Sequence, residues 1–337
     1  MEGNSYKIEA LSNFIITFTF VYLLSIISLF TTGLGADDPG YIMYWENTLP
    51  IYDYLFNDNV SLGKRAIEPF YSYLFSFFKL FTNDFEVFKF FNTFITLGVL
   101  SYSYYLITKK YYLYFLIYTV VYLYIDFNID QFRNALAASF GLLSIVYLNN
   151  GLTKKSLLFF LVSVMIHNSM LWLILLYFSN IKLLRSTTIV LLLTLVFIPN
   201  KAIFLNDLLN DSNLSNLALG IHFVNKLTSY TYNSLQDSNT VIFALVILKS
   251  LFIYLLGIKY KINRVYLDVY LYAILLYYVF IDFNTLGGRI LRDALLLEPV
   301  MLFYIIRQNI SWVLIVPFIF IFNIFSKNLC HIERILM

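Results

Sequence analysis

Arg133, the pair Arg289 and Arg292, the adjacent carboxylates Asp37 and Asp38, and His167 are the side chains whose types and spacing suit chemistry on an anionic substrate. Arg133 follows a polar break, Asp126 to Gln131, and opens a run of small and apolar residues. An arginine at mid-bilayer costs about 2.5–3.5 kcal/mol, so one at the mouth of such a helix faces protein, water or an anion. Its plain alternative is a salt bridge to Asp130, three residues earlier, or snorkelling to the interface. Arg289 and Arg292 are three apart on a predicted helix, share a face, and repel unless an anion or acid lies between them. Diphosphate is such an anion, because the guanidinium fork binds phosphate oxygens bidentately and stays charged. The preceding Gly287-Gly288 lets backbone approach a ligand, whereas a pairing of Arg289 with Asp293 is the structural alternative. Asp37-Asp38 either caps a helix start or supplies a general base or metal ligand. His167, flanked by Asn168 and Ser169 in an apolar run, is either a packing residue or a hydrogen-bonding group for substrate. Glu68, before Pro69, is a further candidate acid.

The elements that must position these residues are membrane helices. The sequence is 60% hydrophobic and only 13% charged, with a mean hydropathy of +0.74, against roughly 25% charged in a soluble domain. The polar intervals 33–66 and 200–239 are too short for an independent core, so residues 1–337 read as one transmembrane domain with outer loops 33–85 and 200–239. A single cysteine, Cys330, excludes an internal disulfide, and the dispersed His167, His222 and His331 have no zinc-ligand spacing. The net charge of +3, spread over short loops, marks membrane orientation and excludes nucleic acid as the partner.

Charge asymmetry sets the expected topology. An uncleaved first helix near 10–32 leads to an acidic outer loop. Residues 66–81, about 16 long, are too short to span and are predicted to lie in the outer interface, with Tyr71 and Tyr73 at headgroup depth. Spans near 86–107, 111–126 and 134–149 then place Lys109-Lys110 and Lys154-Lys155 inside and the Asp126–Arg133 break outside. A single helix over 156–179 would invert everything after it, so the run is predicted to break at His167-Asn168-Ser169 into a hairpin of half-length helices. Further spans near 186–199, 240–258, 265–283, 290–306 and 311–326 follow, with Asn284 to Arg292 as an outer polar junction. Asp37, Asp38, Arg133, His167, Arg289 and Arg292 all fall on the outer side of this topology.

Two motifs point to a family. Gln131-Phe132-Arg133-Asn134-Ala135-Leu136-Ala137 and, later, Met165-Ile166-His167-Asn168-Ser169 resemble the Q-x-R-x-x-[LI]-A and F-H-x-[ST] patterns of the EpsG/Wzy family. Members of that family are bacterial polymerases of lipid-linked oligosaccharide repeat units. The acidic first outer loop followed by an interfacial helix resembles the common module of GT-C glycosyltransferases. The resemblance implies an all-α, GT-C-like bundle of about 10 to 11 transmembrane helices in the bacterial inner membrane, its site facing the periplasm or cell exterior. It implies transfer of a glycan from undecaprenyl diphosphate to the terminal sugar hydroxyl of an incoming lipid-linked repeat unit. Asp38, Asp37, His167 and Arg133 are the expected catalytic residues. Arg133, Arg289, Arg292, Gln131, Asn168, Tyr41 and Glu68 are the expected ligands of diphosphate and sugar. No metal or cofactor is expected, and a polysaccharide chain-length regulator is an expected partner. The rival readings are a flippase or transporter of lipid-linked oligosaccharide, an O-antigen ligase and a membrane acyltransferase.

Overall fold

The computed structural model describes residues 2–34, 37–56, 69–109, 131–179, 182–197, 240–280 and 284–314, with isolated positions between 113 and 129 and at 317. Every regular element among the described residues is a helix. The chain forms two compact units, Met1–Leu171 and Trp172–Met337.

The first unit begins with α1, Glu2–Phe30, whose Ser25 and Ser28 hydroxyls donate to carbonyls within their own helix at 2.8 and 2.6 Å. Such bonds satisfy hydroxyls without water. A turn containing Gly33 at φ +85° leads to α2, Asp38–Glu46. Pro39 suits the first turn of α2, where its missing N–H is no loss. The buried face of α2 is Asp38, Tyr41 and Trp45, a helical spacing. After α3, Ile51–Phe56, and α4, Pro69–Phe78, comes α5, Phe85–Thr108. Trp45 joins α2 to α4 and α5 through the rings of Phe75, Phe85 and Phe88, at 5.1–6.1 Å between centroids. Two antiparallel small-residue helices, α6 at Phe132–Asn149 and α7 at Thr153–Ile166, complete the unit. They approach closely: Ser144 Oγ donates to the Ser156 carbonyl at 2.9 Å and Ser163 Oγ to the Ala137 carbonyl at 2.6 Å. Small and hydroxylated residues permit this packing.

As the sequence reading has it, no continuous helix runs over 156–179. His167 is extended at φ −150° and ψ 119°, and a 3₁₀ segment, Asn168–Ile174, follows.

The second unit contains α8, Leu175–Ser179; α9, Lys182–Val196; α10, Thr240–Lys259; α11, Arg264–Val279; α12, Asn284–Leu295; and α13, Glu298–Gln308. Helix α11 packs against α8, α9, α10 and α12 and is therefore apolar and aromatic on most sides. Gly257 of α10 sits at a close approach: a Cβ there would lie 2.6 Å from the tip of the Leu267 side chain and 3.0 Å from that of Met301, so both tips would have to shift. Ion pairs tie the helices. Arg185 of α9 holds Asp268 of α11 through bonds of 2.6–3.0 Å, and Lys249 of α10 meets Glu298 of α13 at 2.6 Å.

Four expectations change. Residues 284–292 are not an open junction but the start of α12, and the expected span 290–306 is divided at Leu296-Leu297. Pro299, in the first turn of α13, has no N–H with which to continue the preceding helix. Tyr71 is not at an interface surface: it is 0% exposed, whereas Tyr73 is 47% exposed. Helices of 18, 15, 16 and 11 residues (α6, α9, α11 and α13) stand where spans are expected, short of the roughly 20 residues a crossing needs. Among the described residues, Ala10–Phe30 and Phe85–Thr108 are the two helices long and apolar enough to cross a bilayer. Glu68, His222, Cys330, His331 and loop 200–239 lie outside the described residues, and 111–126 and 311–326 lie largely outside them.

Candidate functional site

The first turn of α6 is gripped from several sides. Phe132, fully buried, packs on Tyr41 at 4.3 Å and on Tyr71, Phe85 and Phe88 at 5.9–6.4 Å between ring centroids. Its carbonyl accepts a hydrogen bond from Asn92 Nδ2 at 3.0 Å, and Asn92 Oδ1 accepts one from the Tyr71 hydroxyl at 3.1 Å. Asn92 of α5 thus links α4 to the start of α6. Burial holds the Tyr71 phenol well above its ordinary pKa, Tyr41 adding to the rise and Arg133 opposing it. Tyr71 remains a protonated donor to Asn92.

Arg133 follows directly. It is 8% exposed, and its guanidinium carbon lies 5.7 Å from the centre of the Tyr41 ring and 5.9 Å from that of Tyr71. Aromatic faces attract a guanidinium by their quadrupole while its N–H groups point outward in the guanidinium plane. Gln131, at the N-cap, makes no side-chain cap to the helix. Arginine and helix start together favour negative charge at this end of α6. Gln131 Oε1 and Asn128 Oδ1 are buried oxygens with no hydrogen-bond partner among the described residues, the kind of acceptor a hydroxyl donor would satisfy.

The second motif meets the first at the same turn. Ser169 Oγ donates to Asn134 Oδ1 at 3.3 Å, and Asn134 is the residue after Arg133. The Ser169 N–H donates to His167 Nδ1 at 3.1 Å. A neutral imidazole accepting at Nδ1 carries its proton on Nε2. His167 is 3% exposed, while Asn168 is exposed.

The two carboxylates differ. Asp37 is half-buried. Asp38 is 0% exposed, and its Oδ2 accepts from Lys89 Nζ at 2.8 Å and from the Gly33 N–H at 2.8 Å. Lys89, also 0% exposed, donates to the Thr31 carbonyl at 3.2 Å. Sequence reasoning missed Lys89, Asn92 and Asn128. A partial signal exists for the first: one lysine inside a long apolar helix requires a counter-charge, but Asp84 and Glu86 stand closer in the sequence than the first-loop pair, so its partner is not readable there. Asn92, three residues on, lies on the same face.

Arg289 and Arg292 belong to the second unit, both half-buried on α12 as the predicted i and i+3 pair, with Asp293 buried beside them. Gly287 and Gly288 are helical there. Among the described residues no group of three or more His, Cys, Asp and Glu side chains forms a metal-binding cluster.

Comparison with known proteins supplies one match. No curated protein and no solved structure matches the chain. The model of the EpsG family matches residues 13–333, nearly the whole length, and the chain belongs to that family.

Proposed function

We propose that this protein is a multi-pass bacterial inner-membrane glycosyltransferase of the repeat-unit polymerase type. It transfers a growing glycan from undecaprenyl diphosphate to the terminal sugar hydroxyl of an incoming undecaprenyl-diphosphate-linked repeat unit, on the periplasmic or outer face. The observation that carries the reading is the convergence of two separated motifs on one helix start. Arg133 lies over both the Tyr41 and the Tyr71 ring there, at 5.7 and 5.9 Å, and the His167–Ser169 break is hydrogen-bonded to the same turn through Asn134.

In the reaction, the acceptor hydroxyl oxygen bonds to the donor's anomeric carbon as the bond from that carbon to the diphosphate oxygen breaks. Negative charge develops on the departing diphosphate. Arg133 and the uncapped start of α6 stabilise it, and fixed charge of this kind acts where charge develops. Arg289 and Arg292 are further diphosphate ligands in this reading. His167 donates from Nε2 to a substrate oxygen, and Gln131, Asn168 and Tyr41 contact the sugars. Asp37 takes the acceptor proton, while Asp38 is engaged by Lys89 and the Gly33 N–H. Glu68 remains a proposed substrate contact. The leaving group is stabilised by arginines, so no metal is required. The bilayer holds both lipid-linked substrates, and a chain-length regulator is a proposed partner.

The test is glycan length in cells lacking the protein, complemented at matched membrane levels with wild type or Arg133→Lys. Wild type restores a long ladder, and the lysine variant, which has lost the planar fork, leaves single repeat units on the lipid. Failure of single units to reach the outer leaflet in the deletion strain would replace this reading with a flippase.

A further inference from the structure

We infer that Lys89 and Asn92 are the positioning residues of the Arg133 site, and that Asp38 acts as the buried counter-ion of Lys89, not as a proton acceptor. The inference rests on the function proposed above for its activity readout, but its geometry is independent of that function.

Two links run from one face of α5 to Arg133. In the first, Lys89 holds Asp38 at 2.8 Å and the Thr31 carbonyl at 3.2 Å, and Asp38 also takes the Gly33 N–H at 2.8 Å. The turn after α1 and the first turn of α2 are thereby fastened to α5. Tyr41, three residues after Asp38 and on the same buried face, is set against Phe132 at 4.3 Å and under the Arg133 guanidinium. In the second link, Asn92 takes the Tyr71 hydroxyl and gives a hydrogen bond to the Phe132 carbonyl, which fixes the other ring flanking Arg133. Both aromatic walls of the guanidinium therefore depend on α5.

The chemistry of Asp38 follows from its partners. Both donors converge on Oδ2, the ammonium at 2.8 Å and the Gly33 N–H at 2.8 Å, so that oxygen is occupied by the protein and not by a sugar hydroxyl. Enclosed on all sides, with 0% side-chain exposure for both members, the pair is also removed from solvent. Removing one member leaves an uncompensated buried charge, whereas neutralising both removes the conflict. A positioning pair and a catalytic acid therefore give opposite results in the double variant.

The experiment compares Lys89→Met, Asp38→Asn and the double variant Asp38→Asn/Lys89→Met, in the full-length protein at matched membrane levels. Glycan length is measured in deletion cells, and thermal stabilisation by inorganic diphosphate is measured on the detergent-solubilised protein. Lys89→Met is expected to lose polymer roughly tenfold or more, and the double variant to regain most of it with an unchanged pH profile, as coupling between contacting residues predicts. Asn92→Asp, which keeps the acceptor for Tyr71 but loses the donor to Phe132, is expected to weaken diphosphate stabilisation more than it lowers the unliganded melting temperature. A double variant that inserts normally and binds diphosphate but makes no polymer would overturn the inference, because a charged Asp38 or Lys89 would then act in the chemistry. So would a double variant that folds but no longer gains stability from diphosphate. If wild type itself lengthens no glycan, the polymerase reading fails, and diphosphate stabilisation across the same variants still decides the positioning claim.

Discussion

The first and second units both bury charge, but they use it differently. In the second unit, ion pairs join packed helices to one another. Asp268 of α11 receives Arg185 of α9 through three hydrogen bonds and Arg264 of its own helix at 3.5 Å, while Glu298 of α13 receives Lys249 at 2.6 Å and the Tyr270 hydroxyl at 2.9 Å. In the first unit, Lys89 and Asp38 pair at the end of α5 nearest the first loop, and the adjoining cation, Arg133, is framed by two aromatic rings. Charge in the second unit staples helices; in the first it shapes the surroundings of one arginine. Substitutions should therefore separate loss of activity from loss of stability according to unit.

The sharpest test of that contrast is Arg133→Ala. Removing a preorganised charge stabiliser costs on the order of 10²–10³ in rate, so polymer should vanish while the membrane level and melting temperature stay near wild type. A parallel fall in protein level would make Arg133 a structural residue and erase the contrast. Next in size is Glu298→Leu, which leaves Lys249 buried without its carboxylate. It should destabilise by about 3–5 kcal/mol, seen as a lowered melting temperature, with activity per folded molecule preserved. A change in activity without a change in stability would move catalysis into the second unit. Arg185→Ala should cost less, about 1–3 kcal/mol, because Arg264 still faces Asp268 and Arg185 is itself 29% exposed. Ser169→Ala removes one hydrogen bond to Asn134. It should lower stability by about 0.5–1.5 kcal/mol and shorten the glycan ladder without abolishing it. Lys182→Ala is the negative control, with no measurable effect on ladder length.

Much of this was legible one residue at a time. Arg133 stands out because arginine at the head of an apolar run is energetically conspicuous, and the His167 break because a polar triplet interrupts a run too long for the charge pattern. Asp38 was legible as an acid in the right loop but not as a lysine's partner, since a separation of 51 positions carries no pairing signal. The same holds for Asn92, whose amide looks like any polar residue on a helix until its two partners are seen. Tyr71 was misplaced at an interface because an aromatic phenol suits both headgroup depth and a buried hydrogen bond, and only the acceptor at Asn92 decides between them. The division of the expected span at Leu296-Leu297 was signalled by Pro299, but the helical state of 284–292 was hidden by its glycines, which read as loop when taken alone.

The sequence by itself determined that the chain is built of apolar helices, that its motifs resemble those of one family, and which arginines and acids are available for chemistry. Those properties are local: hydropathy, periodicity and side-chain type are written in neighbouring residues. Only the tertiary structure decided which acid is sequestered, which rings flank Arg133, and that the Q-x-R and H-x-S segments share a turn. These are pairings between residues 35 to 92 positions apart, and a hydrogen bond or ion pair at such separation exists only once packing has set the distance.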